Sequence, residues 1–246
     1  MVYTGLAPIY DRVMIHVRYE QWVGLITRIV KKYLSRTPIT VFEIGGGTAV
    51  LGKMLIDKGF AYTGSDISTS MCFEAKKKVG RFIVADGRLL PVKSGFDMVL
   101  FLYDGINYLM NLDDYTRLFS ETWNILKPFG LFLFDITTFT NSIHYFNDYY
   151  DHEDLGEYFY SRHSYYQESD HTQHNDFTIY RRHNNSTPDE KMNEYHTQKL
   201  FHPEEISARI PKDKFDLIGI WDGYGFKKYS DTSERIHFLL RKKPAA

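Results

Sequence analysis

TVFEIGGGTAVLG, residues Thr40 to Gly52, decides the fold. Thr40 to Ile44 is a short apolar run rich in β-branched residues, with one acid, Glu43, near its end. Such a run reads as a buried strand. Gly45, Gly46 and Gly47 then permit a turn that side chains would block. From Thr48 to Lys58 the apolar residues Val50, Leu51, Met54 and Leu55 fall at helical spacing, and Gly59 is a natural stop. Strand, glycine turn and helix open a nucleotide-binding α/β unit. Backbone N–H groups at the helix start face a ligand that approaches closely because the turn lacks side chains.

Upstream, Trp22, Val23, Ile26, Ile29, Val30 and Tyr33 make a helical stripe, which Thr37-Pro38 ends. Downstream, Ala61 to Ser65 is a second strand ending at Asp66, followed by a helix with Ser68 as N-cap. Arg81 to Ala85 is a third strand ending at Asp86-Gly87, and Phe96 to Leu102 a fourth ending at Tyr103-Asp104. Asp113 or Asp114 caps the next helix, and Leu131 to Ile136 is the fifth strand. This alternation predicts an α/β fold with a doubly wound, mostly parallel sheet.

The rhythm breaks after that. Phe139 to Tyr150 reads as a short helix. Glu157 to Tyr166, Asp176 to His183 and Glu194 to Phe201 alternate as strands, with polar breaks at Glu168 to Gln173 and Asn184 to Glu190. They predict an antiparallel three-stranded insertion between strands 5 and 6. His202-Pro203-Glu204-Glu205 starts a helix, and Phe215 to Trp221 pairs with Ile236 to Arg241 as a closing hairpin, giving seven strands in the main sheet. Residues 1–37 are then an arm and helix, 38–138 with 203–246 the core, and 139–202 an aromatic-rich insertion or lid.

Glu43, Asp66, Asp86 and Asp104 stand at the ends of the first four strands. In an open α/β sheet ligands bind outside those ends, so the acids converge beside the glycine turn. Asp66 is placed to accept both hydroxyls of a ribose, and Asp86 to accept an adenine amino group. A nicotinamide dinucleotide site would want G-x-G-x-x-G, and Val50 stands where the third glycine belongs. A Walker phosphate loop is excluded by Gly47-Thr48-Ala49.

Glu43 to Ala49, then Asp66, Ala85-Asp86-Gly87, Phe96 to Val99 and Leu126 to Gly130 resemble the successive motifs of class I S-adenosylmethionine-dependent methyltransferases. The resemblance covers Val41 to Ile136 and implies a Rossmann-like fold with S-adenosylmethionine as cofactor. It implies that Glu43, Gly45, Gly47, Asp66, Ile67, Asp86, Gly87, Tyr103 and Asp104 bind that cofactor. Ala49 replaces a usual third glycine and is expected to be tolerated. Tyr10-Asp11, Tyr19, Trp22, the run from Tyr103 to Leu109 and the insertion are similar to small-molecule methyltransferases of the amino-sugar or glycine N-methylating type.

Methyl transfer asks the protein mainly for positioning and exclusion of water. Tyr10, Tyr19 and Tyr103 are the candidates to favour the sulfonium and hold an acceptor amine. Glu194 and His196 are two residues apart, on one face of a strand, which makes His196 the candidate base; Asp104 and His144 are alternatives. Arg18 reads as a solvated arginine rather than a partner of the cofactor carboxylate. His171 and His174 lack a third ligand, so no metal is expected. Cys72 lies on a helix stripe and reads as core.

The 246 residues carry a net charge of −1, which gives no footprint for nucleic acid. The sequence has no apolar run that spans a bilayer and no signal-like leader, and a single cysteine, so a cytoplasmic protein is expected. Aromatic residues make up 16% of the chain, many of them between Phe139 and Tyr180. Such an insertion predicts a roof over the site, a homodimer interface, or both. The expected partner is a small-molecule amine or hydroxyl acceptor. Protein or RNA methylation and a non-catalytic cofactor-binding or dimerisation module are the alternatives.

Overall fold

The computed structural model describes residues 3–35, 38–182 and 190–244. The main sheet has seven strands: β1 (Thr40–Glu43), β2 (Ala61–Asp66), β3 (Phe82–Val84), β4 (Phe96–Phe101), β5 (Leu126–Thr137), β10 (Phe215–Asp222) and β11 (Arg235–Lys242). Their order is β10-β11-β5-β4-β1-β2-β3, parallel from β5 to β3 and antiparallel at β11 and β10. The central strands are apolar on both faces because helices cover both. Val41, Leu131 and Leu133 pack on one side with α2 (Tyr19–Tyr33) and α3 (Val50–Asp57). Their neighbours Phe42, Phe132 and Phe134 pack on the other with α5 (Leu112–Ile125) and α7 (Pro203–Arg209). Cys72, on α4 (Thr69–Lys76), is buried in the first of these clusters.

The glycine turn holds a departure from the sequence reading. The helix begins at Val50, two residues later than Thr48, because Ala49 is left-handed, with φ of +63°. A left-handed alanine costs about 1–2 kcal/mol, so Ala49 is accommodated at a cost rather than freely. Gly45, with φ of +62°, has a firmer requirement: a Cβ there would meet the Phe101 ring at 2.8 Å. On α5 the cap is Asn111, whose side chain accepts the Asp114 N–H; Asp113 and Asp114 lie in the first turn instead. The boundary read at Thr37-Pro38 and the break at Asn184 to Glu190 lie largely outside the described residues.

The insertion has four strands rather than three: β6 (Tyr149–Asp154), β7 (Tyr158–Gln167), β8 (Thr172–Arg181) and β9 (Glu190–Lys199), all antiparallel. The missed strand, YYDHED, is an exposed edge with no apolar alternation to mark it. The predicted helix is shorter than expected, α6 (Phe139–Tyr145). One face of the insertion receives the N-terminal arm, in which α1 (Tyr10–Val13) follows a single helical turn. Leu6, Ile9 and Val13 pack against Leu155, Tyr160, Phe177 and Ile179. The arm, the insertion and the carboxyl ends of β1, β2 and β4 thereby enclose one region.

Candidate active site

Two adjoining cavities fill that region. The first, of about 280 Å³, lies over the glycine turn and is lined by Gly45, Gly47, Asp66, Ile67, Asp86 and Gly87, with apolar walls from Met71 and Leu118. The second, of about 480 Å³, lies under the insertion and includes Asp104, Asn175, His196, Gln198 and Arg235. Among the described residues, those lining both are Tyr3, Tyr10, Tyr103 and Tyr108. A collar of four tyrosines therefore separates the cavities. Tyr3 contacts Tyr10 edge-on at 5.6 Å between ring centroids, and its hydroxyl meets that of Tyr108 at 2.5 Å. Burial pushes the phenols of Tyr3, Tyr10, Tyr103 and Tyr108 up, so the collar stays neutral. The Tyr103 hydroxyl is buried without a hydrogen-bond partner among the described residues.

Asp66 ends β2 with its carboxylate almost fully buried. It accepts the Gly47 N–H at 3.0 Å and the Ser68 N–H at 2.8 Å. Burial raises its pKa, and those N–H groups offset part of the rise. Two bonds leave further lone pairs for hydroxyls in the cavity. Asp86 also lines the cavity, but Arg88 already grips its carboxylate through Nε and Nη2, the latter at 2.6 Å. The guanidinium holds the Asp86 carboxyl below its usual range and continues to Asp114 at 3.0 Å.

Glu43 is absent from the lining of both cavities. It sits behind the turn, accepts the Tyr62 hydroxyl at 2.5 Å, and burial pushes its carboxyl up to about 7. Tyr19 likewise lies one layer back, packed on Tyr103 at 4.9 Å between centroids. Arg18 is exposed at the rim of the larger cavity. His144, on α6, lines neither cavity, and among the described residues no cluster of three metal-binding side chains forms around His171 and His174.

Tyr103 and Asp104 are both left-handed, with φ of +60° and +49°. Two consecutive non-glycine residues in that region are strained, and such strain persists only where neighbours over-determine it. Here Asp135 accepts the Asp104 N–H at 3.2 Å, and Gln198 Nε2 donates to the Asp104 carboxylate at 2.7 Å. Arg235 Nη2 binds the other carboxylate oxygen at 2.8 Å and Nη1 binds Asp135. His196, on β9, is buried, with Nε2 3.3 Å from Glu194 Oε2 and Nδ1 3.3 Å from the Tyr108 hydroxyl. Glu194 Oε1 accepts the N–H groups of Gly5 and Leu6, which ties the arm to the insertion.

The sequence reading missed Tyr3, Tyr108, Gln198, Asp135 and Arg235. Asp135 was visible in principle: one acid inside the apolar run Leu131 to Ile136 signals a buried charge with a distant partner. Gln198 continues the alternation of Glu194 and His196 on one strand face. Tyr3 carries no local signal for its hydrogen bond, because its hydroxyl partner, Tyr108, is 105 residues away.

The chemistry suits a nucleoside with a charged tail. A turn without Cβ atoms, a buried carboxylate with spare lone pairs and apolar walls are what such a cofactor needs. A family described as a methyltransferase domain matches residues 41–130. Residues 41–130 form a methyltransferase domain, with S-adenosylmethionine as its cofactor. The chain is 27% identical to the inferred methyltransferase YqeM of Bacillus subtilis (strain 168), over 98% of both chains. Its fold is that of an S-adenosylmethionine-dependent methyltransferase from Clostridium acetobutylicum, with a TM-score of 0.82, 23% identity and coverage of 98% and 99%. A further structural neighbour is S-adenosylmethionine-bound CalS10 of Micromonospora echinaspora, an amino pentose methyltransferase, with a TM-score of 0.70, 14% identity and coverage of 96% and 97%.

Proposed function

We propose that the enzyme methylates a nitrogen of a small-molecule acceptor seated in the larger cavity, beneath the insertion. The observation that carries this is the tyrosine collar, through which the methyl group would meet the acceptor. In this reading Gly45 and Gly47 admit the methionine part of the cofactor, Asp66 takes the ribose hydroxyls, and Ile67, Gly87 and Asp86 edge the adenine. When bound, the cofactor supplies a methyl group on a positively charged sulfur. Tyr10 and Tyr103, which line both cavities, would favour that charge and hold the acceptor amine. Tyr19 backs Tyr103, and Glu43 backs the glycine turn. Asp104, held by Gln198 and Arg235, offers a carboxylate to the acceptor from the far side of the collar.

A cavity of about 480 Å³ roofed by protein favours a small acceptor over a polymer. The amino pentose acceptor of one structural neighbour points the same way. We also propose that the uncovered face of the insertion joins two copies of the chain. Incubation with methyl-labelled cofactor and matched panels of amino sugars, amino acids, polyamines and their hydroxyl analogues tests the acceptor. Label on an amine is the expected result; label on protein or RNA alone would overturn it.

A further inference from the structure

The hydrogen bonds around Tyr108 run in one direction. Burial would raise the Glu194 carboxyl, but His196 and the N–H groups of Gly5 and Leu6 outweigh it and hold it below its usual range. Glu194 is therefore ionised and only accepts. His196 Nε2, 3.3 Å away, must then be the donor. A neutral imidazole that donates from Nε2 keeps its lone pair on Nδ1. Nδ1 faces the Tyr108 hydroxyl at 3.3 Å, so Tyr108 donates to it. Tyr108 Oη is left as an acceptor, and Tyr3 donates to it at 2.5 Å.

The groups packed on the His196 ring come from four places. They are Glu194 on its own strand, Tyr108 on the turn after β4, the Tyr3 ring of the arm at 4.4 Å and the Phe177 ring of β8 at 5.7 Å. Arg18 before α2, Asp104 after β4, Arg162 on β7 and Arg235 on β11 are the charged groups that share its cavity, with His16 of the arm as a further titratable one. A directed chain thus leads from the collar to a buried lone pair.

We propose that Tyr108 passes the acceptor's proton to His196 Nδ1, with Glu194 as the positioning residue; this rests on the collar being the place of methyl transfer. The acceptor's lone pair forms the bond to the methyl carbon, and the carbon–sulfur pair returns to sulfur. The proton freed on the acceptor goes to Tyr108 Oη, and the Tyr108 proton goes to His196 Nδ1. The imidazolium then faces the Glu194 carboxylate, which balances its charge until the proton leaves to solvent. The arm belongs to this device, since Glu194 is held by Gly5 and Leu6 and the collar includes Tyr3.

The test reads the ring nitrogens of His196 by nitrogen NMR on the full chain, assigned through H196Q, at mildly alkaline pH. The wild type is expected to carry its proton on Nε2. In Y108F the Nδ1 resonance should move, because its hydrogen bond is gone, while the proton stays on Nε2. In E194Q the amide oxygen remains with Gly5 and Leu6, the amide NH₂ faces the ring, and the proton should transfer to Nδ1. A wild-type proton on Nδ1, both nitrogens protonated, or an Nδ1 resonance unmoved by Y108F would overturn the relay. Calorimetry of S-adenosylhomocysteine on the same wild-type sample reports the cofactor cavity separately, so a failure there is not confused with a failure of the relay.

Discussion

Arg235, the first residue of β11, holds the Asp104 carboxylate at 2.8 Å and the buried Asp135 carboxylate with the same guanidinium. One side chain thus locks the end of β4 to β5 and β11 and keeps Tyr103 and Asp104 in their strained conformation. Burial pushes the Asp135 carboxyl up to about 6, although the Arg235 charge opposes the rise.

Arg235→Leu is expected to cost about 3–5 kcal/mol, because it leaves Asp135 charged and unpaired in the interior. The pH dependence has a definite sign. An acid at about 3.9 unfolded and about 6 folded binds more protons in the folded state, so its contribution falls as pH rises between those values. Without Arg235 the folded value climbs further. Urea unfolding should show a larger loss at about pH 7.5 than at about pH 5. Equal losses at both would mean that Asp135 does not carry the effect.

Glu43→Gln tests the second buried acid. Burial raises Glu43 to about 7, while the Tyr62 hydroxyl bond lowers it and the Asp66 charge adds to the rise. Relative to an unfolded value of about 4.3, its contribution declines as pH rises from there to about 7. The amide still accepts the Tyr62 hydroxyl and does not ionise. The variant should therefore gain a few kcal/mol over wild type above about pH 7 and little at about pH 4. A thermal unfolding series across that range checks it.

Asp66→Ala removes the carboxylate best placed for a ribose and frees the N–H groups of Gly47 and Ser68. Losing a charge-assisted contact should cost roughly 1.5–3 kcal/mol of binding, about tenfold to a hundredfold in affinity for S-adenosylmethionine. The fold should persist, since Val41, Phe42 and the surrounding core are untouched. Calorimetry that returned wild-type affinity would reduce Asp66 to a turn residue.

What the sequence revealed and what it withheld follow from the range of the interactions. Gly45, Gly47, Asp66 and Asp86 sit at the ends of consecutive strands, so local pattern and the rule of the carboxyl edge place them together. Tyr10 and Tyr103 were legible through the resemblance, and both line the collar. Tyr3 and Tyr108 required the arm to fold back across the chain, a contact set by Glu194 and by apolar packing rather than by spacing. Asp86 illustrates the converse. Its position was readable, but Arg88, two residues on, turns back to grip it, and rotamers are not written in strand periodicity. The edge strand β6 escaped notice because an exposed edge has no apolar face to display.

The uncovered face of the insertion yields the last prediction. Register puts Tyr150 beside His163, and Tyr165 beside His174, on the face opposite Tyr160 and Ser164. Both pairs are stacked, with centroids 4.1 Å and 4.6 Å apart. Tyr150 and Tyr195 remain 67% and 66% exposed, so the aromatic surface is flat and largely unspent. Interfaces favour tyrosine at their centres, and a second copy offers the same rigid face to pair across a two-fold axis. The chain should therefore sediment as a dimer, and Tyr150→Asp with Tyr195→Asp should return it to a monomer. Neither residue lines the two cavities, so affinity for S-adenosylhomocysteine should stay within about twofold of wild type, as expected for surface changes that touch no ligand contact. A wild-type monomer at high concentration would sink the interface. A double variant that is monomeric but has lost cofactor binding would mean that the face supports the site rather than a partner.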